Sequence, residues 1–250
     1  FDADADPNVV NVRRSSDGAT SDFTASEVSD GTLVAFVGAG NDGHVTTWYD
    51  QGGTKHATQS TASSQPKLVD AGTLVTEGGL PALDFDGTND YFESGSIGVS
   101  GGAARATYAV VSPDSYESSG GGYLGVDETN GTGVVYDHCI EANNFALRVS
   151  GNAIYDDTSD KLVQNLWATN FAGTQSNDIE LFKNGSQITR TGGLNATLNT
   201  TDDWYIAATP RQGNTFYDGT IQEIVIYDTD QSANRTGIET NINDHFDIYS

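Results

Sequence analysis

Apolar and polar residues along most of this chain alternate with a period of two, the pattern of strands that bury one face. The alternation starts at Val9–Arg13 and returns at Leu83 and Phe85, set against Asp84 and Asp86. A turn follows at Asp86-Gly87, and a further strand runs through Tyr91 and Phe92. ATYAVVSP (106–113) has no polar face to speak of, as expected of a strand covered on both sides. GTGVVYDHCI (131–140) and FALRVSG (145–151) form an expected pair. LVQNLWATNFA (162–172) and DIELFKNGSQI (178–188) are two more strands, and Asn184-Gly185 is the strongest hairpin signal in the chain. WYIAATP and FYDGTIQEIVIYD complete the series, with Trp167 and Trp204 expected in the core.

Two stretches break the period. SDGTLVAFVGAG (29–40) predicts a short helix near 30–37, capped by Ser29 or Asp30 and ended by Gly38. In SANRTGIETNINDHF, Ile238, Ile242 and Phe246 recur every four residues, which predicts a helix near 233–244 with Ser232 as its N-cap. No repeat, linker or low-complexity tract interrupts the 250 residues, so residues 1–250 are expected to form one all-β sandwich domain. The chain opens at Phe1 and has no methionine, which leads us to expect a segment of a longer polypeptide.

Charge narrows the partners. With 35 acidic against 11 basic residues, the net charge of −24 repels phosphate, so neither nucleic acid nor an anionic membrane is an expected partner. No stretch approaches the ~20 apolar residues of a membrane span. The single cysteine, Cys139, allows no internal disulfide and is expected as a small buried hydrophobe. His138 is its neighbour, but adjacent strand residues face opposite ways, which weakens a nucleophile–base reading.

Metal and catalytic signatures are sparse. Asp2, Asp4 and Asp6 imitate the start of an EF-hand, yet Pro7 stands where glycine is needed and Arg13 where a bidentate glutamate belongs. No His-x-x-His or Cys-x-x-Cys pair offers a zinc site, and no Gly-x-Ser-x-Gly elbow or phosphate loop is present. Glu141, Glu180 and Glu223 are isolated on strands, without the alternating acids that aim two carboxyl groups at one sugar. Calcium is the one cofactor the sequence offers.

FDGTNDYFE (85–93), LWATNFAG with IELFKNGSQI (166–173 and 179–188) and YDGTIQEIVIYD (217–228) resemble, in order, the signature strands of laminin-G-like domains of the concanavalin A-like superfamily. The resemblance implies a jelly-roll sandwich of two antiparallel sheets. VRRSSDGATSDF (12–23) and TTWYDQGGTKHATQ (46–59) resemble the start of the arabinofuranosidase B catalytic domain, another sandwich of this superfamily. Those enzymes carry a vicinal Cys-Cys pair beside an acidic sugar-binding segment. YDHCIEANN (136–144) stands in roughly that region with one cysteine, so no catalytic residue carries over.

The combined resemblance implies a non-catalytic recognition or structural module of the kind found on phage virions and bacterial surface proteins, with an arabinofuranosidase-like hydrolase as the alternative. Its expected partners are cell-surface glycans and virion proteins, in an extracellular or virion-surface setting that allows oligomers. Sugar recognition calls for exposed aromatic rings and planar polar groups. The candidates are Trp48, Tyr116, Tyr123, Tyr136 and Tyr155, with Asp127, Asn143 and Asn144 as polar partners. Loop calcium, which the resemblance also implies, points to Asp156, Asp157 and Asp160.

Overall fold

A computed structural model describes residues 6–115, 121–128, 136–141, 144–149, 152–156, 162–173, 178–189, 198, 200–209 and 215–250. The chain begins with β1 (Asn8–Arg14) and β2 (Thr20–Thr24), then α1 (Ala25–Ser29) and α2 (Thr32–Val37). β3 (Gly43–Trp48), β4 (Ala57–Thr58) and β5 (Lys67–Asp70) follow, with the short β6 (Thr73–Leu74), β7 (Thr76–Glu77) and β8 (Leu80–Pro81). Next come β9 (Leu83–Asp86), β10 (Phe92–Ser96), β11 (Arg105–Pro113) and β12 (Gly121–Glu128). β13 (Tyr136–Glu141), β14 (Asn144–Val149), β15 (Asn152–Asp156) and β16 (Asn165–Phe171) lead to β17 (Ile179–Lys183) and β18 (Ser186–Gln187). β19 (Thr200–Ile206), β20 (Ala208–Thr209), β21 (Thr215–Phe216), β22 (Asp218–Tyr227) and α3 (Arg235–Phe246) close the described chain.

These strands form two antiparallel layers. One runs β2-β1-β3-β5-β9-β22-β11-β16-β17-β18, and the other β4-β10-β19-β12-β13-β14-β15. β4 ties the layers at one side, because Thr58 pairs with both Thr47 of β3 and Glu93 of β10. The sandwich expected from the sequence is therefore present.

One core cluster fills the space between the layers. Val12, Val45, Phe85, Ala109, Trp167 and Ile221 come from the first layer, and Phe92, Leu124, Leu147 and Trp204 from the second. Both tryptophans are buried, as expected. A polar chain also crosses the core: Thr107 Oγ1 lies 2.6 Å from Thr169 Oγ1 and 3.3 Å from His138 Nε2, and Tyr123 Oη lies 3.3 Å from His138 Nδ1. Such a network keeps interior polar groups paired, which their burial requires.

β11 is buried along its whole length, and α3 explains why. Its Ala109 and Val111 face the sandwich interior, whereas Ala106, Tyr108 and Val110 belong to a second cluster with Phe182, Ile242 and Phe246. The helix thus covers the outer face of the first layer. Its N-cap is Asn234 and not the expected Ser232, which is held instead in a turn by Asp230 Oδ1 at 3.0 Å. The predicted early helix is α2, but its N-cap is Gly31 and not the expected Ser29 or Asp30; Asp30 Oδ1 accepts the Thr32 N–H at 2.9 Å from the turn before it. α1 was not foreseen. Its signal is the Thr24-to-Glu27 capping box, which satisfies donors at both ends of the first turn.

Candidate functional site

Along the second layer the cross-strand register separates two faces. Phe92, Ile206, Leu124, His138 and Leu147 lie opposite one another in one row, and all five are buried. The neighbouring row, in which Glu93 and Tyr205 face away from the core, runs by register through Thr58, Glu93, Tyr205 and Gly125, and positions 137 and 148 pair on in line. Gly125, the cross-strand neighbour of Tyr205, is buried, and Tyr205 itself is part-exposed. Asp203, two residues before Tyr205 on the same strand, is exposed.

At the β4 end this row opens into a polar cleft of about 380 Å³. Its walls are Thr46 and Thr47 from β3, Thr58, Gln59, Ser60 and Thr61 around β4, and Tyr91 and Glu93 at the entry to β10. Hydroxyls, an amide, a phenol and one carboxylate converge there. The walls are tied to each other. Gln59 Nε2 donates to the Tyr91 carbonyl at 3.1 Å, Gln59 Oε1 accepts the Thr61 N–H at 2.9 Å, and the Tyr91 N–H donates to the Ser64 carbonyl at 3.2 Å. Behind them Gln65, itself buried, donates to the Gln59 carbonyl at 2.8 Å and accepts from Arg13 Nε at 2.8 Å. A cleft braced in this way holds its polar groups in place before a ligand arrives, which lowers the ordering cost of binding.

The turn that delivers Tyr91 and Glu93 carries an unusual carboxyl. Asp90 is only 6% exposed. Burial raises its pKa to about 7, the Asp86 and Asp84 charges push the same way, and the Asp86 N–H and Lys67 oppose them. Asp86 instead serves the turn, accepting the Thr88 and Asn89 N–H groups at 2.8 and 3.1 Å.

The residues singled out by sequence scatter. Tyr123 is fully buried, with rings of Tyr217 and His138 at 6.2 and 5.5 Å, so it is a core residue and not a recognition residue. The Gly-rich flank made it look like a loop, but it lies within β12. Trp48 is part-buried at the edge of β3, packed on the core with its ring 6.5 Å from Phe92, and it follows directly on the cleft residues Thr46 and Thr47. By register, position 155 pairs with 146, in line with 139, and position 144 pairs with 141. Position 127 lies on β12, where the register shifts between Val126 and Glu128. Position 136 pairs with 126, in line with 204, and position 156 pairs with 145, in line with 140. Tyr116, Asn143, Asp157 and Asp160 lie outside the described residues.

Cys139 is buried, as expected. Among the described residues no three acidic, histidine or cysteine side chains converge as a metal site would require. Sequence reasoning passed over Thr58, Gln59, Tyr91, Glu93 and Tyr205. Glu93 stood inside a quoted motif, but only strand pairing reveals its partners.

No protein-family model matches the chain, and no curated protein matches it. Solved structures do. A GH54 α-L-arabinofuranosidase soaked with a cyclic sulfate inhibitor superposes with a TM-score of 0.71 at 14% identity, covering 95% of this chain and 59% of that one. An arabinofuranosidase complexed with arabinofuranosyl-α-1,2-xylobiose gives 0.69 at 14% identity, with the same coverage. A sialidase of Trypanosoma rangeli in complex with the inhibitor DANA gives 0.52 at 15% identity, covering 80% of this chain and 30% of that one. The chain spans about three-fifths of the arabinofuranosidases. At these identities the likeness establishes the sandwich fold.

Proposed function

We propose that this chain is a non-catalytic glycan-recognition module that binds saccharides in the cleft bounded by Gln59, Tyr91 and Glu93 and against the adjoining Tyr205. The observation that carries this reading is the convergence of these groups on one open, braced surface. Saccharide hydroxyls are matched by planar amides and carboxylates, and a flat sugar face by a part-exposed tyrosine ring. The ligand-bound arabinofuranosidases and the inhibitor-bound sialidase show that sandwiches of this shape serve sugar chemistry elsewhere, which supports the reading without specifying a ligand. Display on a phage virion or a bacterial surface belongs to the same proposal, where many weak sites acting together give useful avidity.

A second reading, an arabinofuranosidase-like hydrolase, draws on the superposition over 95% of the chain. It predicts release of 4-nitrophenol from 4-nitrophenyl α-L-arabinofuranoside. We expect no turnover above a buffer blank.

Glycan-array binding tests the main proposal. Wild-type protein is expected to score on saccharides, and Glu93→Ala to lose tenfold or more in affinity for the same spots, about 1.4 kcal/mol. Unchanged binding by Glu93→Ala and Tyr205→Ala alike would move the site away from this face.

A further inference from the structure

We propose that the proton on Asp90 gates this cleft: the protonated side chain lets the Asp86–Glu93 turn close against the opposite wall, and its loss loosens that turn. The inference deepens the glycan-binding reading and rests on it for its biological meaning.

The geometry confines the effect to the cleft. Asp90 is nearly sealed from water within the turn, where its Oδ2 accepts the Asp86 N–H at 3.3 Å. The next residue is Tyr91, whose N–H and carbonyl are both bonded across the cleft, to the Ser64 carbonyl and to Gln59 Nε2. Two residues further on stands Glu93. Movement of the Asp90 carboxylate therefore reaches both cleft side chains through one or a few peptide units.

The charges facing it set the direction. Asp86 and Asp84, from the preceding strand, repel an ionised Asp90, and Lys67 of β5 attracts it more weakly. Lys67 is already paired with Asp42 at 3.2 Å and Asp70 at 2.6 Å. A buried anion in this position is poorly compensated, and swinging the turn toward water relieves it. The raised pKa agrees with that crowding and places the transition near neutrality. The cleft is thus braced in mildly acidic surroundings and relaxed in alkaline ones.

Amide NMR between pH 5 and 9 tests this without any ligand. The Thr61, Tyr91 and Glu93 resonances of wild-type protein are expected to move with a midpoint near 7, and to stay level in Asp90→Asn. The wild-type Asp90 carboxyl carbon, followed in the same titration, gives a second readout that needs no variant. A midpoint in the ordinary range near 4, or cleft amides that titrate equally in Asp90→Asn, would overturn the gate. Saccharide affinity measured at pH 5.5 and pH 8.5 separates the two proposals. Equal affinity at both values overturns the gate and leaves glycan binding intact, whereas amides that titrate as expected in a protein that binds no saccharide support the gate and refute the binding reading.

Discussion

Replacing Gly219 with alanine is expected to destabilise the fold by about 3 kcal/mol or more, the largest effect of such a replacement among the described glycines. Gly219 adopts φ +134°, a conformation closed to residues with a side chain. A β-carbon there would stand 2.4 Å from the Ser112 carbonyl oxygen and 2.8 Å from Pro113 Cα. Both contacts are to backbone of β11, paired with β22 at this point, so neither side can yield without breaking the sheet. Gly79→Ala makes a fair control, because φ is +84° there but nothing lies within 4 Å of the added atom. It is expected to cost only about 1 kcal/mol, from backbone strain alone. Urea denaturation of the two variants measures the difference, and equal midpoints would show that crowding against β11 has been overstated.

The second large effect is a pH dependence hidden by cancellation. His138 is sealed in the core, and burial lowers its pKa to about 3 from 6.5. Its folded-state pKa lies below the unfolded one, so its contribution is fully present above 6.5 and is lost as pH falls toward 3. Asp90 runs the other way. Its folded-state pKa is raised to about 7 from 3.8, so its contribution is fully present below 3.8 and is lost as pH rises through 7. Between about 4 and 6.5 the two slopes oppose each other at roughly 1.4 kcal/mol per pH unit each.

Asp90→Asn removes one of them and keeps an oxygen that can accept the Asp86 N–H. The variant is expected to match wild type near pH 4 and to exceed it by roughly 3–4 kcal/mol at pH 7.5. Burial also raises Glu77, Asp114 and Glu223, and those groups tilt both proteins alike. The difference between the two urea curves therefore isolates Asp90. A difference that does not grow with pH would mean that Asp90 titrates as an ordinary surface carboxyl.

Much of the fold was legible because its signals are local. Asn184-Gly185 turns with both residues at positive φ, 50° and 75°, as a two-residue hairpin requires. The uniform apolar character of residues 106–113 announced a strand covered twice, though not that α3 supplies the second cover. The site was not legible for the same reason in reverse. Thr58, Glu93 and Tyr205 are far apart in sequence and meet only through the register of β4, β10 and β19. Period-two alternation says that Glu93 and Tyr205 face away from Phe92 and Trp204, but not that the strands are neighbours. Tyr123 misled because the glycines before it resemble a loop, whereas the register shift between Gly122 and Leu124 turns both Tyr123 and Leu124 inward.

The claim that binding occurs on the outward face of the second layer is tested most directly by mapping saccharide-induced amide shifts. Each saccharide that scores on the array is titrated into the labelled protein. The account predicts saturable shifts at Thr58, Gln59, Tyr91, Glu93 and Tyr205, with residues of the α3-covered face unmoved. Shifts confined to the groove between Tyr227 and Ile238 beside α3, or none at all, would contradict it.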